Sequence, residues 1–188
     1  MNIKSLAALA LLCVGLSACG SSVARPDVVT ALADPNQKLA VVDVTCTAGS
    51  AAKVDAATLD RIKTGILNEL EHAKPVSLMA HANPDARPIS LKVNLTAYEE
   101  GNAAARLMLM GLGQMHIDSD IEIVDASGNT IGAYKIAKQF ALGGVVGATT
   151  SIKDVESGFE SSVVELVRDP SKTASSSRDK PKKKPRPL

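Results

Sequence analysis

His116, Asp118, Asp120 and Glu122 stand at alternate positions of one stretch, interleaved with Ile117, Ser119, Ile121 and Ile123. On a strand, a period of two puts the four polar side chains on one face. An imidazole and three carboxylates are ligand types for Zn²⁺ or Ca²⁺. Their spacing argues the other way. Residues two apart on a strand lie about 7 Å apart, too wide for one ion without ligands from elsewhere. We expect the solvated face of a strand whose other face is isoleucine. The four residues remain the candidate metal ligands of the alternative reading, a small metal-dependent hydrolase.

The remaining residues with reactive side chains form no familiar motif. His72 falls near the end of a helical pattern, where a cation suits the dipole, and His81 falls in a loop. Neither has a Ser or Cys nucleophile at a recognisable spacing, and neither H-E-x-x-H nor G-x-S-x-G occurs. Gly143-Gly144-Val145-Val146-Gly147 precedes a helical pattern but lacks the Gly-Lys-Ser/Thr of a phosphate loop. It reads as a hinge or a close backbone contact. Cys46 lies in an apolar, strand-like run and reads as a buried small hydrophobe. The expectation is no catalytic residue, no cofactor and no enzyme.

Charge is unevenly distributed. The formal net charge is +1 over 188 residues. Pro170 to Leu188 holds seven basic residues and one acid, whereas Cys19 to Asp169 holds 13 basic and 19 acidic residues. An acidic body thus carries a basic tail. Lys180, Lys182, Lys183, Lys184 and Arg186 are the candidate contacts to an anionic envelope polymer, lipid phosphate or acidic protein. The tail also reads simply as a disordered, solubilising segment. Aromatics make up 2% and Trp is absent, so base-stacking platforms are scarce and nucleic acid is not an expected partner.

One further residue points to a covalent modification. Lys4, an apolar run from Leu6 to Leu16, and then Leu16-Ser17-Ala18-Cys19 have the order of an export signal. The last four residues resemble the lipobox of bacterial lipoproteins. That resemblance implies removal of 1–18 and fatty acylation of Cys19, the only covalent group expected. A spanning helix needs about 20 apolar residues, more than this run supplies. A single acyl chain anchors only marginally; the resemblance implies more than one. Gly20 and Ser21 follow Cys19, where an aspartate would signal inner-membrane retention. The expected site is the periplasm-facing leaflet of the outer membrane, with the outer leaflet of the inner membrane as alternative.

The elements that position these residues follow from periodicity. We expect a lipidated tether at 19–37, whose Val28, Val29 and Leu32 leave packing on the domain open. A single α+β domain is expected at 38–169 and a disordered tail at 170–188. Lys38 to Cys46 reads as a strand. Asp55 reads as an N-cap, with Val54 and Leu59 as a staple. Leu59, Ile62, Ile66 and Leu70 mark a helix that ends by Lys74, with Asp60, Arg61, Lys63, Asn68 and Glu71 outward. Gly65 weakens this helix by about 1 kcal/mol relative to alanine. Leu91, Val93, Leu95 and Ala97 alternate as a strand. Ala103 to Met110 stays open between a short helix and an extended piece.

His116 to Val124 and Thr130 to Ala141 pair as a hairpin through Asp125-Ala126-Ser127-Gly128-Asn129. That turn sets Ile123 beside Ile131 and Ile121 beside Ala133. Ser151 and Asp154 form a capping box for a last helix, with Ile152, Val155, Phe159, Val163 and Leu166 as its stripe. The fold class is α+β, a mostly antiparallel sheet with two helices on one face.

Arg106, an apolar stretch to Met110, Gly111-Leu112-Gly113, an alternating strand, Asp125-Ala126-Ser127-Gly128 and the glycine-rich run before the final helix form a pattern. It resembles the bacterial lipoproteins grouped as domain of unknown function 4410, over about Lys38 to Asp169. Gln114 departs from the pattern, standing where a small residue is expected. The resemblance implies an envelope lipoprotein with an α/β domain and supplies no reaction. The resulting expectation is an outer-membrane-anchored, non-catalytic binding or structural module. The alternative is an accessory subunit of an envelope transport or secretion complex.

Overall fold

Alternating aliphatic residues build five strands, and two amphipathic helices close over them. The computed structural model describes Ala24 and residues 26–108, 113–140 and 149–171. Cys19, the run Gly143 to Gly147 and the basic residues Lys180 to Arg186 lie outside the described residues. In chain order the elements are β1 (Asp27–Thr30), β2 (Leu39–Ala48), α1 (Ala56–Glu71), a 3-10 turn (Ala80–Ala82), β3 (Arg87–Glu99), α2 (Ala103–Met108), β4 (Met115–Asp125), β5 (Thr130–Phe140) and α3 (Ile152–Arg168). The sheet order is β1-β5-β4-β3-β2. Among the described strands only β2 and β3 pair in parallel, and α1 supplies the crossover that a parallel pair requires.

Both long helices lie on one face of the sheet. Leu91, Val93, Leu95, Ile117, Ile121, Ile123 and Ile136 turn toward Ile62, Ile66, Leu70, Phe159, Val163 and Leu166, and all are fully buried or nearly so. Each such side chain contributes about 1.5–3 kcal/mol. The helix starts are those the local sequence specifies. Asp55 Oδ1 accepts the Thr58 N–H at 2.7 Å. The Ser151 N–H donates to Asp154 Oδ2 at 2.7 Å. A cap of this kind is worth about 1 kcal/mol.

The strands define two ends. At one, which α2 marks, β2, β3 and β5 finish and β4 begins, with Met115 opposite Phe140 and His116 opposite Glu99. At the other lies the β4–β5 hairpin. Both long helices run from the α2 end toward the hairpin end. Arg61 and Glu156 meet beside Tyr98 near their starts, whereas Glu69 and Ser161 meet farther along.

Three expectations change and one open point is decided. The hairpin register is one residue off: Ile123 lies opposite Gly132 and Ile121 opposite Tyr134, because a bulge falls between Ile123 and Val124. The turn itself has the expected chemistry, with Gly128 at φ 83° and its N–H donating to the Asp125 carbonyl at 2.9 Å. The extra residue that such a turn inserts moves every later pair by one. Ala103–Met108 is helical. The stretch read as a tether contributes β1, paired with β5 through Asp27 opposite Lys135, and Leu32 is buried against the core. The fold therefore includes chain before Lys38. Finally, Arg61 does not simply point to water; its guanidinium reaches α3.

Candidate functional site

The expected alternation of β4 holds. His116, Asp118, Asp120 and Glu122 share the sheet face away from the helices, and Met115, Ile117, Ser119, Ile121 and Ile123 share the buried one. The four are spread along the strand, each with its own neighbours. Asp120 pairs with Lys135 of β5 at 3.1 Å. Glu122 stands opposite Lys92 and accepts from the Thr130 hydroxyl at 3.4 Å. His116 stands between Glu99 and Gln139. Asp118 stands between Ala97 and Ala137. Among the described residues no group of three or more His, Cys, Asp or Glu side chains is placed to hold a metal ion. What this face offers is a surface depression of about 260 Å³ lined by Asp27, Thr96, Asp118, Asp120 and Lys135.

The other histidines are also apart from each other and from this face. His81 Nε2 lies 3.2 Å from Glu71 Oε1 in an exposed pair. His72 Nδ1 lies 2.8 Å from the Asn68 carbonyl oxygen. Cys46 is half-buried against the core, free, and its thiol is pushed up to about 11, chiefly by burial. It is an unreactive thiol at neutral pH. Gln114, the departure from the family pattern, accepts from Gln139 Nε2 at 2.7 Å across the β4–β5 pair.

The main polar interior lies between the helices, where the stripe reading placed only apolar contacts. Glu156 is 3% exposed and accepts from Arg61 Nε at 2.9 Å, Arg61 Nη2 at 2.7 Å and the Tyr98 hydroxyl at 2.7 Å. Arg61 is held protonated more firmly than usual by its hydrogen bonds to Glu156. The Tyr98 hydroxyl is pushed up by burial and then by Glu156. One turn on, the Glu160 carboxylate lies over Gly65, so a Cβ there would make this flexible side-chain end move. Burial first, then Glu69 and Glu156, push Glu160 up to about 7.

A second polar group is buried with no partner among the described residues. Lys138 lies on the helix-facing side of β5, 6% exposed, with its stem against Gly158 of α3 and no hydrogen-bond partner for Nζ among the described residues. Burial pushes its ammonium down from the usual range. An unsatisfied buried group costs about 1–3 kcal/mol. Lys138→Met, which keeps the stem and removes the amine, is expected to stabilise the domain by about 1 kcal/mol in urea unfolding. A loss of stability would show that the amine has a partner in solution.

The family model described as "Domain of unknown function (DUF4410)" matches residues 25–144. The chain belongs to this family. It is also similar to the PelC dodecamer from Paraburkholderia phytofirmans, at 13% identity and a TM-score of 0.45, over 76% of this chain and 94% of that one. A single-substitution form of the same PelC dodecamer aligns at 15% identity and a TM-score of 0.42, over 73% and 88% of the two chains. No curated protein matches.

The stretch matched as DUF4410 takes in all five strands and α1, but stops before α3. Glu156, Gly158 and Glu160 therefore lie beyond it. For this DUF4410 chain the raised Glu160 has a definite consequence. A carboxyl raised in the folded state stabilises the fold while protonated. That contribution is complete below the unfolded value of 4.5 and is lost as pH rises through about 7. The carboxyl keeps some contact with water, so its full effect is about 1–2 kcal/mol. Glu160→Gln is expected to flatten the stability profile across this window and raise urea midpoints at pH 8. Parallel profiles for the two proteins would contradict it.

Proposed function

We propose that this protein is a lipid-anchored, non-catalytic accessory module of the bacterial envelope. It is held at Cys19 on the periplasm-facing leaflet of the outer membrane and serves an assembly rather than turning over a substrate. The observation that carries the reading is how closely the start of the chain is tied to the body. Five residues after Cys19, the Ala24 N–H donates to the buried Ser162 hydroxyl in the second half of α3 at 2.9 Å. A chain acylated at Cys19 would thus hold the domain against the lipid surface and leave its basic tail to reach an anionic envelope polymer or acidic protein, through Lys180, Lys182, Lys183, Lys184 and Arg186.

Two experiments test this reading. Cys19→Ala is expected to move the protein from the membrane to the soluble fraction of lysed cells; unchanged membrane recovery would overturn the anchor. Pull-down from detergent-solubilised membranes is expected to lose partners when Pro170 to Leu188 is deleted. Recovery of the same partners from both forms would remove the tail from the reading.

A further inference from the structure

We infer that the outer edge of β2 pairs with the same edge of a second copy, antiparallel, about a two-fold axis at Cys46. The inference stands whether or not Cys19 is acylated. The first observation is a difference between the two edges of the sheet. β1 is four residues long, and a bulge between Val28 and Thr30 breaks its pairing. Such an edge is blunted. β2 has ten residues, and only its start is covered: the Val41 N–H donates to the Leu78 carbonyl at 2.8 Å, and Val41 bridges Met79. From Asp43 to Ala48 its register with β3 is unbroken. The Gly49 N–H donates to the Leu95 carbonyl at 2.8 Å, so by alternation Thr47, Thr45 and Asp43 also turn their backbone groups toward β3. Val44, Cys46 and Ala48 turn theirs outward, with no partner across that edge among the described residues. Neither Pro nor Lys guards this run, and Asp43 is its one charge.

The second observation is that this edge is complementary to itself. An axis at Cys46 sets Val44 of one copy opposite Ala48 of the other. Each outward residue then exchanges N–H and C=O with one that also faces outward. Thr45 falls opposite Thr47, a favourable cross-strand pair, and Asp43 falls opposite Gly49, so no charge in the run meets a like charge. A third observation concerns the helix above. Leu59, Lys63 and Leu67 stand four apart on α1, each half-buried. Lys63 lies close enough to Cys46 to favour its thiolate, whereas Arg61, Gly65 and Glu69 face α3. The Leu59–Leu67 stripe therefore overhangs the β2 edge. The two-fold axis brings two such stripes toward each other and covers their apolar surface. The long stem of Lys63 lets its ammonium swing out to water.

The test uses the full-length natural protein in detergent, where sedimentation is expected to give a dimer. Ala48→Pro deletes one outward N–H per copy at an exposed position. It is expected to raise the dissociation constant by at least about tenfold, with the circular dichroism spectrum unchanged. The register is read separately, in a Cys46→Ala background. Thr45→Cys and Thr47→Cys, both at exposed positions, are mixed, allowed to exchange subunits and oxidised with copper phenanthroline. The mixture is expected to give a disulfide-linked dimer. Each variant alone is expected to give little, because like positions lie on the diagonal, about 7–8 Å apart, beyond a disulfide's reach of about 6.8 Å between Cα atoms. The Cys46→Ala protein without added cysteine reports any crosslinking through Cys19, so a failed anchor is not mistaken for a contact at β2. A monomer overturns the inference. So does a dimer that crosslinks equally in the mixture and in the single variants, since that places the contact elsewhere.

Discussion

Replacing Arg61 with methionine is expected to lower the stability of the domain by about 3 kcal/mol. Breaking a buried ion pair by removing one partner costs about 3–5 kcal/mol, because the remaining charge stays desolvated. Glu156 is that charge: 3% exposed, it would keep only the Tyr98 hydroxyl at 2.7 Å. The lower end of the range applies because Arg61 is itself 42% exposed and partly screened. Adding Glu156→Gln to Arg61→Met is expected to restore part of the loss, since a neutral amide is cheaper to bury. Urea unfolding of the two single variants and the double variant measures the coupling. A single-variant loss well under 1 kcal/mol would mean that water reaches the pair freely.

Phe159→Ala should cost a similar amount or more, about 3–5 kcal/mol. Phe159 has no exposed surface and belongs to the same core cluster as Ile62, Ile66, Ile121 and Ile136. Removing the ring leaves a cavity between layers that cannot easily close, because the sheet is rigid and the helices are tied by the Arg61–Glu156 bonds. Phe159→Leu keeps most of the volume and is expected to cost less than about 1.5 kcal/mol. The ratio of the two losses distinguishes a packing role from a general intolerance of change at this turn of α3. The prediction also bears on the family match, since the largest fully buried side chain among the described residues lies outside residues 25–144.

Much of the fold was legible because its signals are local. The alternation of β4 and the stripes of α1 and α3 each follow from one stretch of chain. So do the Asp55 cap, the Ser151–Asp154 box and the left-handed Gly128. The candidate metal residues were legible in the same way, and their dispersal along one strand follows from the strand repeat. Two buried polar groups also left local traces. Lys138 continues the inward series Gly132, Tyr134, Ile136 toward Phe140. Glu156 lies three and seven residues before Phe159 and Val163, on the buried face. A polarity-based reading sends both side chains to water, because sequence alone names no partner 95 residues away.

The sequence by itself determined β2 to β5, α1 and α3, which of their faces are apolar, and where acid and base are concentrated along the chain. Those properties depend on neighbours within a turn or two. Tertiary structure alone decided that β1 closes the sheet, that the hairpin pairs one residue out of the simplest register, and that an arginine and a glutamate meet between helices. It also decided that Ala24 is bonded to Ser162 of α3, 138 residues away. Each of these is a contact between distant segments, chosen by which faces can be buried together, and no local propensity encodes it.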